Sequence, residues 1–106
     1  MIIKGSKTKK SIGPMKIGEY KINPDFSAAL IEINGDHGPV KCTDEDRSYF
    51  IIKGSGQFII NGKKSLVGSD DLIFIPKNTP YNIIGKMKYF LVCSPEFDTK
   101  HDIFLK

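Results

Sequence analysis

Apolar positions along this chain recur in short runs rich in isoleucine, phenylalanine and tyrosine. No window holds the i, i+3, i+4, i+7 spacing of an amphipathic helix. Runs of this kind, broken by glycine, proline and asparagine at regular intervals, predict an all-β sandwich or barrel. The predicted strands are Met15–Ile22, Ala28–Ile33, Ser48–Lys53, Gln57–Asn61, Lys64–Leu66, Asp71–Ile75, Tyr81–Ile84, Tyr89–Ser94 and Ile103–Leu105.

The turns have a chemistry of their own. Asn61-Gly62 suits a type I′ turn, in which both central residues take positive φ. Gly54-Ser55-Gly56, set between two Phe-Ile-Ile runs, reads as another hairpin. Asn34-Gly35-Asp36 closes the second strand, and Pro76-Lys77-Asn78-Thr79-Pro80 cannot lie in a central strand. Consecutive hairpins over residues 48–75 imply a mainly antiparallel sheet.

Phe50-Ile51-Ile52 and Leu72-Ile73-Phe74-Ile75 are apolar at every position, whereas a strand with one face in water alternates. Covering both faces in 106 residues calls for a second sheet plus either a dimer partner or an outer flap. A closed or double-sheet barrel with one outer face buried in a homodimer meets this need.

Composition adds limits more than identity. Hydrophobic content of 40% and charged content of 26% suit one globular domain. No apolar run reaches the roughly 18 residues of a membrane span, and Met1-Ile2-Ile3 is too short for a secretory signal. A cytoplasmic protein is expected, without a membrane partner. The net charge of +4 is uneven: Lys4, Lys7, Lys9, Lys10 and Lys16 precede the first acidic residue, leaving 11 basic against 12 acidic residues beyond. Residues 1–14 therefore read as a basic, solvated arm and 15–106 as the single barrel domain. Basic residues interleaved with aromatics, or gathered on one helix, are missing, so a nucleic-acid partner is not expected. Cys42 and Cys93 make no C-x-x-C pair and read as small buried thiols.

Two stretches resemble the motifs of the cupin superfamily. Residues 41–62 (KCTDEDRSYFIIKGSGQFIING) are similar to the first motif, in which a ligand loop leads into a strand ending in G-x-G. Residues 68–82 (GSDDLIFIPKNTPYN) are similar to the second, with its glycine-acidic turn, its isoleucine-proline and a proline before the ligand position. The segment Ser94–Asp98 resembles the end of many small cupins, and the likeness covers about residues 27–98. It implies a small antiparallel double-sheet jelly-roll barrel.

The same resemblance places the family's metal ligands at Val40, Cys42, Arg47 and Tyr81, and none of these is a family ligand. A fixed cation at the Arg47 position repels a divalent ion by several kcal/mol even at an effective dielectric of about 20. No metal and no other cofactor is therefore expected. A shifted loop register that brought His37 in with Asp44 or Glu45 is the alternative.

Arg47 is the only arginine among 16 basic residues. By analogy with the family glutamate it points into the barrel, where period two adds Tyr49 and Ile51 to its face. An unpaired buried guanidinium is too costly to stand alone. It meets either an acidic neighbour such as Asp44 or Asp46, merely plugging the cavity, or an anionic ligand group. Arg47, Tyr49, Tyr81, Cys42, Phe58 and Phe74 form the candidate ligand-binding set for a small anionic or sugar-like molecule. Arg47 is expected to depress the Tyr49, Tyr81 and Cys42 pKa values. His37 and His101 are expected at the surface, which leaves no evident acid–base pair. The alternatives are a metal-independent sugar-nucleotide isomerase or epimerase, and a structural dimerisation barrel with a filled core.

Overall fold

The computed structural model describes residues 1–5 and 8–105. Its strands are β1 (Thr8–Ile12), β2 (Met15–Asn23), β3 (Phe26–Asp36), β4 (Val40–Cys42), β5 (Asp46–Ile60), β6 (Lys63–Gly68), β7 (Leu72–Ile75), β8 (Pro80–Ser94) and β9 (Asp102–Phe104). All pairings are antiparallel, and they join into one strongly curled sheet. Its order runs β1-β2-β3-β8-β4-β9, while β5 pairs with β8 and carries β6 and β7. The all-β jelly-roll expectation holds.

The long strand β8 explains the curl. It pairs with β3 over Ile84–Cys93 and with β5 over nearly its whole length, so both limbs of the barrel hang from it. Gly54-Ser55-Gly56 is not a hairpin: it lies inside β5, and two predicted strands are one. The predicted strands at 81–84 and 89–94 likewise merge through Gly85. Gly56 and Gly85 are cross-strand partners. A Cβ on Gly85 would lie 2.6 Å from Gly56 Cα and 2.8 Å from Ser55 O, closer than side chains approach. These glycines serve the sheet where the two strands bend across each other, rather than a turn. Asn61 and Gly62 (φ 52° and 79°) do form the expected turn into β6.

The N-terminal expectation changes as well. Residues 8–12 lie within the segment read as a basic arm, yet they pair with β2 through a turn at Gly13 (φ 53°). Ser6 and Lys7 lie outside the described residues.

Parity sets the core. Ile31 and Ile33 of β3, Tyr49 and Ile51 of β5, and Ile83, Met87, Tyr89 and Leu91 of β8 all face inward and are buried. A register shift between Ile51 and Lys53 moves the inward phase of β5 to even positions, which brings in Phe58. The doubly apolar runs resolve into an inner face and an exposed outer one. Phe50, Leu72 and Phe74 are 42%, 68% and 58% exposed. No helix among the described residues is long and apolar enough to cross a membrane.

Candidate functional site

Arg47 enters at the start of β5, paired with Ile75 on one side and Cys93 on the other. It is only 3% exposed, and each of its three nitrogens donates to a protein oxygen. Nε and Nη2 donate to Glu45 Oε1 at 3.2 and 3.0 Å, and Nη2 also donates to Asp102 Oδ1 at 2.9 Å. Nη1 donates to the Tyr81 hydroxyl at 2.8 Å. The Phe97 ring lies 5.3 Å from Cζ, within reach of a cation–π contact. Of the two outcomes open in the sequence, this is pairing with protein carboxylates, though not with the two acidic residues singled out. Asp44 contacts His101, and Asp46 accepts from the Lys77 backbone N–H at 2.9 Å.

Glu45 is fully buried, which only its hydrogen bonds make tolerable. Its Oε2 accepts from the Asp98 backbone N–H at 2.9 Å and lies 2.7 Å from His101 Nδ1. His101 was expected in solvent, but its side chain is 16% exposed, with Nε2 3.3 Å from Asp44 Oδ2. The C-terminal segment from Phe97 to Asp102 thus closes the Arg47 end of the barrel. The three-residue β9, paired with β4, ties its end into the sheet, and Leu105 N–H donates to Pro39 O at 2.9 Å just beyond it.

Behind Arg47 the tyrosines form an aromatic cluster. The Tyr49 and Tyr81 hydroxyls are 2.6 Å apart. The Tyr49 ring meets Phe58, Tyr89 and Tyr81 edge-on at 5.2, 5.3 and 6.0 Å between centroids. His37, expected at the surface, is half-buried, with its ring 6.3 Å from that of Tyr81 and 6.4 Å from that of Phe104.

The structure therefore brings together Arg47, Tyr49, Tyr81 and Phe58, with Cys42 buried on β4. It does not bring in Phe74. In the β5–β7 register Arg47 faces Ile75 and Ser48 faces Phe74, so Phe74 has outward parity. Phe97 and Asp102 have no signal in the sequence, while Glu45 enters there only through a shifted loop register with His37, and His101 only as a surface residue. Glu45 lies two residues before Arg47, the spacing that shares a strand face. Nothing in the sequence aligned the tail with β4.

Burial dominates the electrostatics. Tyr49 and Tyr81 are raised above the ordinary phenol value by desolvation, which outweighs the lowering effect of Arg47. Burial likewise pushes the Cys42 thiol up against Arg47, and Cys93 to about 12. The expected depression by Arg47 is thus reversed at all three groups. Both thiols are free and poor nucleophiles in the folded state.

The resemblance to cupins implies metal-ligand positions at Val40, Cys42, Arg47 and Tyr81, and the side chains at these positions do not fit an ion. Val40 has no donor atom, Cys42 is held as a thiol, and Arg47 is a cation bonded to Tyr81. Among the described residues no three His, Cys, Asp or Glu side chains are grouped to hold an ion.

No family model matches the chain. An uncharacterized protein of Aquifex aeolicus is 24% identical over 96 residues, 88% of this chain and 79% of the relative. Among solved structures, Streptomyces Pac13, described as a nucleoside dehydratase, superposes with a TM-score of 0.90 at 19% identity, covering 100% of this chain and 92% of its own. Single variants of Pac13, at one histidine or one of two tyrosines, were solved with uridine. KdgF from Halomonas sp. gives 0.80 at 15% identity over 88% of this chain and 90% of its own. The Schizosaccharomyces pombe Cnp3 cupin domain gives 0.73 at 21% over 90% and 72%.

Proposed function

We propose that this chain, which has the cupin fold, is a metal-free small-molecule-binding protein that takes a hydroxyl-rich, sugar- or nucleoside-like ligand at the Arg47 end of its barrel. The carrying observation is the buried hydrogen-bonded row Asp102–Arg47–Tyr81–Tyr49, with His37 beside Tyr81. Glu45 and Asp102 already balance the guanidinium, so the row favours a polar neutral ligand over an anion. The uridine-bound variants of Pac13 support a ligand of this kind, because they alter a histidine and tyrosines, the residue types gathered here.

A homodimer belongs to the same reading. Phe50, Leu72, Phe74 and Val92 leave an apolar outer face on β5, β7 and β8 that a second copy covers. Phe74→Glu is expected to lower the sedimentation mass to that of the monomer.

Thermal shift against a panel of nucleosides and free sugars tests the ligand. A compound at ten times its Kd stabilises by about 1.4 kcal/mol, which is several degrees for a domain of this size. Tyr49→Phe is expected to reduce that shift. If no compound moves the wild type, the filled structural barrel is the better account.

A catalytic reading rests on His37, the one ring nitrogen group beside the tyrosines. It requires His37→Gln to abolish turnover of a bound nucleoside while leaving the thermal shift in place.

A further inference from the structure

We propose that the outer face of the barrel carries a second binding site, a lysine-lined groove that takes a chain of phosphate groups. The cross-strand register places Lys16 opposite Glu32, Glu32 opposite Lys88, and Lys88 opposite Lys53. This row crosses β2, β3, β8 and β5, and Lys86 lies two residues along β8. The row alternates with buried Ile31, Ile33, Met87 and Tyr89, so it points away from the barrel interior.

Two surface grooves, of about 620 and 510 Å³, run along this row and share Lys16, Glu32 and Lys88. Lys9, Tyr20 and Leu30 line the first groove, and Lys53 and Lys86 the second. Besides Lys10, which also lines the first groove and is paired with Glu19 at 3.3 Å, five lysines thus surround one carboxylate. Among the described residues none of the five has a carboxylate oxygen within 4.0 Å. Lys53 and Lys88 are direct cross-strand partners, an arrangement that costs stability unless an anion offsets it.

Chemistry narrows the ligand. Lysine ammonium groups are point charges suited to phosphate oxygens, without the planar fork that selects carboxylates. Three interstrand steps span about 14 Å, longer than one phosphate and suited to several in a chain. Tyr20 offers a ring at one end. An oligonucleotide and inorganic polyphosphate share this chemistry. The lysines come from residues 9 to 88, so the sum of charge by segment could not reveal a common face.

Fluorescence anisotropy with labelled twelve-residue oligothymidylate, between 50 and 200 mM salt, reads the site. Inorganic polyphosphate and polyglutamate serve as competitors. About four contacts give a slope of log K against log salt near −3. The triple variant Lys16→Ser/Lys53→Ser/Lys86→Ser is expected to lose at least tenfold in affinity at 50 mM salt and to flatten the slope by about 2. Glu32→Gln is expected to tighten binding, a gain that misfolding does not produce. Lys63→Ser/Lys64→Ser, on β6, is expected to change nothing. Capture of polyphosphate, oligonucleotide or both supports the site and names the source. The proposal is overturned if neither binds at 50 mM salt, if polyglutamate competes equally well, or if the β6 variant weakens binding as much as the triple one.

Discussion

Arg47 Nη1 donates to the Tyr81 hydroxyl at 2.8 Å, and that hydroxyl is 2.6 Å from the Tyr49 hydroxyl. Tyr81 is therefore the middle of a row and Tyr49 its end. Both rings are 2% exposed, so neither hydroxyl has water as a ready substitute.

Position in the row sets the cost of removing each oxygen. Tyr49→Phe leaves Tyr81 its bond from Arg47 and is expected to cost about 1 kcal/mol. Tyr81→Phe strands both a guanidinium N–H and the Tyr49 hydroxyl, and its expected cost is about 2–3 kcal/mol. Urea unfolding of the two variants measures the order. Equal losses would mean that Arg47 finds another acceptor.

Arg47 joins β5 to the C-terminal segment through Glu45 and Asp102. Arg47→Ala leaves the fully buried Glu45 carboxylate without its cation, a loss expected to reach about 3–5 kcal/mol. Arg47→Lys keeps the charge but cannot reach Glu45, Asp102 and Tyr81 together, so an intermediate loss is expected. Proteolysis adds a local readout. The segment beyond Phe97 is expected to be cleaved faster in both variants than in the wild type, because its Asp102 anchor is weakened.

Much of the barrel was legible because strand period and turn chemistry are local. The Asn61-Gly62 turn, β2, β6 and β7 follow from neighbours in sequence. So does the face that Tyr49 and Ile51 share with Arg47, whose inward direction came from the resemblance to cupins. The misreadings share a physical cause. Gly54-Ser55-Gly56 has the composition of a turn, but Gly56 answers to Gly85 and Gly54 to Lys86 and Met87, about thirty residues away, across the crossing of β5 and β8. Phe74 was assigned without the β5–β7 register that turns it outward. Asp102 and His101 are more than fifty residues from the carboxylate and guanidinium they meet, and no local pattern records that pairing. The tyrosine and thiol shifts were misjudged because burial, a tertiary quantity, outweighs the visible charge.

That account of the glycines can be tested directly. Gly85 has φ 151°, and a Cβ there collides with Gly56 Cα and Ser55 O, backbone atoms that cannot rotate aside. Gly85→Ala is expected to cost more than the roughly 1 kcal/mol of a simple conformational penalty, reaching about 2–4 kcal/mol as β5 and β8 separate. Gly62→Ala supplies the comparison. It also has positive φ (79°), but nothing lies within 4 Å of its Cβ. A Gly85 variant no less stable than the Gly62 variant would remove the crossing as the reason for the glycine.

Asp102 gives the pH dependence a sign. Burial raises its pKa above 3.8, and the opposing pull of Arg47 only partly offsets this. A carboxyl with a raised folded-state pKa favours folding while protonated. Its contribution is therefore fully present below about pH 3.8 and is lost as pH rises through the folded value. The asparagine variant cannot ionise, so the stability of wild type minus Asp102→Asn is expected to fall as pH increases across that window. Asp36 runs the other way. Bonds from Asn82 and the Gly38 N–H lower its pKa, so its contribution holds above the ordinary value and is lost as pH falls through the folded one. Denaturant titrations at intervals from pH 3 to 7 on wild type, Asp102→Asn and Asp36→Asn separate the two slopes. If wild type minus Asp102→Asn rises with pH instead, the Arg47 pairing outweighs burial at Asp102, and the C-terminal segment from Phe97 to Asp102 is held by charge rather than strained by it.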